Sequence, residues 1–199
     1  MSDGDHPPPR QVRAEFDDTT VTVYQAYSER IAEAALEAGT FVPPFKLTRM
    51  TWIKPSFLWM MYRSGWATKP GQERVLAIRI TREGFEEALS SACLSHFDAD
   101  VYGSHEEWLR CLEATPVRVQ WDPERTLNLE PLPWRSLQVG LTGLATRKYV
   151  SEWITGIIDI TPRVREIHQR AGQGRVVLPR ERPYSLPHDI AKRIGASLS

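Results

Sequence analysis

A single-domain α+β fold is predicted from three features of this 199-residue chain. Apolar patterns of period two and period 3.6 are mixed along it, without the regular strand–helix alternation of a parallel sheet. No long linker separates two apolar regions, and no internal repeat is present. Apolar and aromatic residues make up 41%, beside 12 glycines, which suits a soluble globular protein.

Residues 1–13 hold Pro7-Pro8-Pro9 and no apolar period, which predicts a flexible arm before a domain over 14–178. Alternation from Thr20 through Tyr27 predicts a strand. Ser28 then caps a helix with Ile31, Ala32, Ala35 and Leu36 on one face, stopped at Gly39. Pro43-Pro44 interrupts, and Leu47 to Ile53 reads as extended. Lys54-Pro55-Ser56 predicts a short helix with proline in its first turn, ending near Gly65. Glu73 to Ile80 reads as a strand, and Thr81 caps a helix over Arg82 to Ala92. Ser104 and Glu107 have capping-box spacing for a helix to Ala114. Strands follow at Val117–Trp121 and Ser136–Leu141, around a turn-rich segment. The last third reads as helical: an amphipathic face over Tyr149, Val150, Trp153, Ile154, Ile157 and Ile158, then a helix from Thr161-Pro162 to Ala171. The run Gln169 to Arg175 reads as a helix stop and hinge, and 179–199 as a basic tail with one short helix near Asp189 to Ile194.

Lys+Arg and Asp+Glu both total 25, which excludes a histone-like or polyacidic chain. The longest apolar run, Phe57 to Tyr62, falls far short of the ~20 residues that span a bilayer, so no membrane partner is expected. Nothing reads as a secretory signal, and two cysteines make no disulfide scaffold, so a cytoplasmic location is expected. Charge is uneven along the chain. Residues 46–82 hold eight bases against one acid, a net of +7, whereas 83–130 hold three bases against eleven acids, a net of −8. Such a basic segment points to a phosphate or another anion.

The basic segment also carries Trp52, Phe57, Trp59, Tyr62 and Trp66. Two readings fit: rings that stack bases while cations hold phosphates, or tryptophans seven apart acting as core anchors within a solvated basic rim. Lys54 and Ser56 at a helix N-terminus would meet free backbone N–H groups, an anion-binding arrangement. Cys93, His96, His105 and Cys111 lack a standard zinc spacing, so no metal is predicted and the cysteines read as small packing groups. No nucleophile elbow, phosphate loop or dinucleotide glycine signature is present. Gln138 and Asp159 are candidate catalytic polar groups, with structural hydrogen bonding as the simpler role.

Val23-Tyr24-Gln25-Ala26-Tyr27, the block Arg49 to Ala67, and Gln138 to Leu141 with Tyr149, Trp153 and Asp159 resemble the family called domain of unknown function 4291, over about Arg10 to Pro187. That family name implies no activity. Val23 to Tyr27, a short helix and Gly39-Thr40-Phe41 are also similar to the opening of ADP-ribosyltransferase-like folds. This second resemblance implies a split antiparallel sheet flanked by helices, with NAD as a candidate cofactor in the cleft. Gln25 stands where those enzymes carry His or Arg, a departure from their pattern; it and Gln138 are the implied catalytic positions. Arg49, Lys54 and Arg63 would neutralise a pyrophosphate, Trp52 or Tyr27 would stack a ring, and Ser56 would add a contact. A non-enzymatic nucleic-acid-binding module is the alternative reading of the same surface.

Overall fold

The computed structural model describes residues 6–172 and 176–197. Among these residues, strands β1 (Arg13–Ala14), β2 (Thr20–Tyr27), β3 (Thr51–Ile53), β4 (Arg74–Thr81), β5 (Cys93–Leu94), β6 (Val117–Arg125), β7 (Pro131–Leu141), β8 (Ile154–Asp159) and β9 (Arg182–Pro183) are interleaved with seven α-helices. These are α1 (Glu29–Ala38), α2 (Phe57–Ser64), α3 (Arg82–Ser90), α4 (His105–Ala114), α5 (Gly143–Lys148), α6 (Thr161–Arg170) and α7 (His188–Arg193). The fold is mixed α+β, as the sequence predicts.

Among the described residues two larger sheets carry the structure, beside the two-stranded β1–β9 pair. One runs β2-β4-β8, entirely antiparallel; the other runs β3-β7-β6-β5, antiparallel except for the β5–β6 pair. They meet where the Tyr24 amide donates to the Lys54 carbonyl at 2.7 Å, an isolated bridge between β2 and the end of β3. Beyond that bridge the backbones part, and side chains take over from the ladder. One large core packs the sheets against α1, α3 and α7; a second, under α2 and α6, holds Tyr24, Phe57, Met60, Met61, Trp66, Val75, Val164 and Ile167.

Several elements fall where local chemistry places them. Gly39 and Gly65 end α1 and α2 with φ of 70° and 58°, a backbone region that an L side chain resists. Thr81 and Ser104 cap α3 and α4 through bonds from the Gly84 and Glu107 amides, each 3.1 Å. Gly84 has a second reason to be glycine: a Cβ there would lie 2.4 Å from Cγ of Trp153. Gly84→Ala is therefore expected to destabilise the protein by about 1–3 kcal/mol through overpacking, read as a lower urea midpoint at unchanged slope.

Other expectations need correction. Residues Leu47 to Met50 lie outside β3, which is three residues long. Pro55 does not open α2; it precedes the cap residue Ser56. Strands β6 and β7 reach far into the segment read as turn-rich, pairing from Val117↔Leu141 to Arg125↔Pro131, so only five residues remain for the turn. The prolines that suggested a loop are accommodated at the end of this hairpin, where a bulge between Pro123 and Arg125 relaxes the ladder. The amphipathic face over Tyr149 to Ile158 breaks after a π-helical turn, Tyr149–Trp153, and continues as β8. β-branched Ile154, Thr155, Ile157 and Ile158 suit a strand, and β4 offers them an edge to pair with.

The described parts of both expected tails are tied down. Val12 is buried in the main core and β1 pairs with β9, so packing begins inside the expected arm; residues 1–5 lie outside the described residues. Tyr184, Ile190 and Ile194 of the C-terminal stretch join the same core, and the Trp121 indole N–H donates to the Ile194 carbonyl at 2.7 Å. The short helix is present as α7. Gln173, Gly174 and Arg175 of the hinge reading lie outside the described residues; α6 ends at Arg170, just before them.

Candidate functional site

The register of the four-stranded sheet puts polar and apolar residues on opposite faces. Ile53, Val119, Leu137, Val139 and Leu141 point into the main core. Trp52 pairs with Gly140 and Gln120 with Gln138, and Lys54 follows one step past the last β3–β7 pair. Because side chains alternate along a strand, Trp52, Lys54, Gln120, Asp122 and Gln138 share the other face. This face is the floor of a cleft of about 810 Å³ at the parting of the sheets. Helix α2 forms one wall, with Trp59 and Arg63 one turn apart on the same side of it. The end of β2 and the segments around Lys46, Arg49 and Gln72 complete the lining.

Lys54 sits deepest in chemical terms. It is 6% exposed. Its ammonium donates to the Trp52 carbonyl at 3.0 Å and stands 5.5 Å from the centre of the Trp59 ring. Burial, with the Arg63 charge nearby, pulls its pKa down from 10.5 to about 7; Asp122 acts in the opposite sense. Asp122 is held by two amides: Gln120 Nε2 donates to its Oδ1 at 3.0 Å, and Gln138 Nε2 donates to its Oδ2.

At the β2 side, Gln25 is 2% exposed and bonded throughout. Its Nε2 reaches the Tyr27 hydroxyl at 2.9 Å, Thr51 Oγ1 at 2.7 Å and the Trp52 carbonyl at 3.2 Å, while its Oε1 accepts from the Tyr149 hydroxyl at 2.7 Å. This network bridges the parted strands β2 and β3. Tyr27, desolvated beside it, has its pKa pushed up to about 12 and stays a neutral phenol.

Of the residues expected at the site, Gln25, Gln138, Tyr27, Arg49, Trp52, Lys54 and Arg63 all line this one cleft. Ser56 does not. It caps α2 by accepting from the Trp59 amide at 3.1 Å and donates to Glu124 at 2.9 Å. The expected anion seat on α2 is also taken, by the chain's own Glu181, which accepts from the Phe57 amide at 2.7 Å. A side-chain carboxyl from the C-terminal segment thus meets the helix N-terminus that the sequence offers to a ligand. Asp159 is likewise structural, paired with Arg74 at 2.5 Å and bonded to Thr161.

The aromatic block divides between its two readings. Trp52 and Trp59 line the cleft, whereas Phe57 and Trp66 belong to the second core, Trp66 stacking on His168 at 5.0 Å. Tyr62 is exposed, with the Arg125 guanidinium 3.6 Å above its ring. Sequence reasoning missed Gln120 and Asp122. Their two-residue spacing, continued past Trp121, is the signal that places them on one face with Gln138. Gly140 is a further clue, since a Cβ there would come within 3.0 Å of the Trp52 ring and of Met50 Sδ.

These features define a split-sheet α+β protein whose cleft is lined by cations, two indoles and an amide-held carboxylate. The chain belongs to the family described as Domain of unknown function (DUF4291), whose model matches residues 11–184. No curated protein matches the sequence.

Proposed function

We propose that the cleft binds a phosphorylated ligand of nucleotide type. The observation that carries this reading is the convergence of Lys46, Arg49, Lys54 and Arg63 on one concavity. Among the described residues none of these four forms an ion pair within 4.0 Å, so the charge of Lys46, Arg49 and Arg63 is left for a ligand. Arg49 and Arg63, permanently charged, hold the phosphates. Trp52 and Trp59 offer faces to a base. Asp122, fixed by Gln120 and Gln138, accepts from ligand hydroxyl or amino groups. NAD is the first nucleotide to try, on the resemblance to ADP-ribosyltransferase-like folds; in such a transfer the protein chiefly orients the ribose and stabilises its developing positive charge. Gln25, with its amide committed to the strand-bridging network, supports the wall in this reading.

Calorimetric titration of the full chain with ADP, NAD and inorganic pyrophosphate tests the proposal. ADP is expected to bind, pyrophosphate to compete, and adenosine to bind at least tenfold more weakly. Arg49→Ala with Arg63→Ala is expected to weaken ADP at least tenfold, the loss of one to two charge-assisted contacts. Absence of ADP and NAD binding at millimolar concentration overturns it. So does tight, steeply salt-dependent binding of a single-stranded oligonucleotide that ADP does not displace, which assigns the basic face to nucleic acid instead.

A further inference from the structure

We propose that Lys54 is a nucleophilic amine that forms a reversible imine with a carbonyl-bearing ligand of the cleft. The inference deepens the reading above, resting on it for the ligand's place of entry and not for its phosphate.

A lysine kept for its charge is exposed or paired with a carboxylate, because an unpaired buried ammonium is costly. Lys54 is neither. It is 94% shielded, yet it belongs to the cleft lining and, among the described residues, has one acceptor, the Trp52 carbonyl at 3.0 Å. Among the described residues it has no carboxylate within 4.0 Å. The charged groups facing it are Arg63 from α2 and Asp122 from β6, the first raising the cost of a second cation and the second offsetting part of it. The Trp59 ring lies 5.5 Å from its ammonium, and Trp52, Met60 and the uncharged amides of Gln120 and Gln138 line the same cleft. Desolvation beside another cation is how a lysine becomes a nucleophile near neutral pH, and a titration near 7 leaves a large neutral fraction there. The other four lysines, Lys46, Lys69, Lys148 and Lys192, have no comparable seclusion.

In the reaction the neutral amine attacks the carbonyl carbon. A C–N bond forms, the carbonyl π pair moves to oxygen, and a proton passes from nitrogen to that oxygen through solvent, giving a carbinolamine. Its hydroxyl leaves as water, carrying the second amine proton, while the nitrogen lone pair closes the C=N bond. No oxidant or reductant is consumed, and water reverses the step.

The test is labelling of the full chain with acetaldehyde, pyridoxal and pyridoxal 5′-phosphate at pH 7, followed by borohydride and peptide mapping. Acetaldehyde is small enough for a recessed amine. Lys54 is expected to be alkylated at least tenfold faster than Lys46, Lys69 and Lys192, at a rate that levels off above about pH 8. Lys54→Arg is expected to lose the fast site while the slow ones persist. Labelling of Lys54 no faster than the exposed lysines by all three aldehydes overturns the proposal, and the wild-type experiment stands even where the variant fails to fold. Fast acetaldehyde labelling without protection by ADP sustains the imine and counts against the nucleotide reading. ADP binding with Lys54 unlabelled does the reverse.

Discussion

Glu181→Gln is expected to remove most of the stability that the protein loses as pH rises from about 5 to 8. Glu181 is half-buried at the N-terminus of α2, where burial pushes its pKa from 4.5 to about 8. The Phe57 amide and Arg13 lower it, while Glu124 and Glu15 add repulsion. Between those values the folded chain keeps a proton that the unfolded chain releases. The contribution is therefore complete below the unfolded value and is lost as pH climbs through the folded one. Each unit of difference corresponds to about 1.4 kcal/mol, and partial exposure reduces the total to about 2–4 kcal/mol. Glutamine retains an oxygen for the Phe57 amide but has no proton to lose. Urea melts at pH 5, 6.5 and 8 should show the wild type weakening and the variant nearly flat. Parallel curves would remove Glu181 as the cause.

Lys54→Met should act with the opposite sign. The folded pKa lies near 7 and the unfolded one at 10.5, so the unfolded state binds the extra proton between them. Stability from this group rises with pH through that window, and below 7 the full cost of a buried ammonium is present. Methionine keeps an unbranched chain in place without the charge. The variant is expected to be more stable than wild type by about 2–4 kcal/mol at pH 6 and to lack the wild-type rise between pH 7 and 10. The two groups together give the wild type a stability minimum near pH 7–8, which either substitution reshapes. A variant less stable than wild type at pH 6 would show that the ammonium's bond to the Trp52 carbonyl outweighs its desolvation.

Both residues occupy places where the sequence speaks unevenly. Lys54 and its neighbours were legible because they sit in one short basic and aromatic block, and strand β3 and helix α2 deliver them to the cleft with little rearrangement. Glu181 was not legible. It lies 124 residues from the amide it serves, and nothing in a basic, proline-spaced stretch marks one acid as a helix partner. Asp122 was hidden for a different reason: Pro123 and the prolines of β7 resemble a loop, although a hairpin end tolerates them.

Local chemistry alone determined most element boundaries. Thr81, Ser104, Gly39 and Gly65 act on backbone groups within a few residues, so their effect survives wherever the helix packs, whereas the Ser28 side chain makes no capping bond to α1. The strand at Thr20–Tyr27, the helices it precedes and the concentration of cations in 46–82 follow from the same short-range rules. Tertiary structure alone decided that Ile154–Asp159 is a strand, that Val12 and the segment 184–194 close over the core, and that Glu181 occupies the N-terminus of α2. Those outcomes depend on which edge, core or carboxylate lies nearby once the chain has folded, and partners so distant in sequence leave no periodic trace.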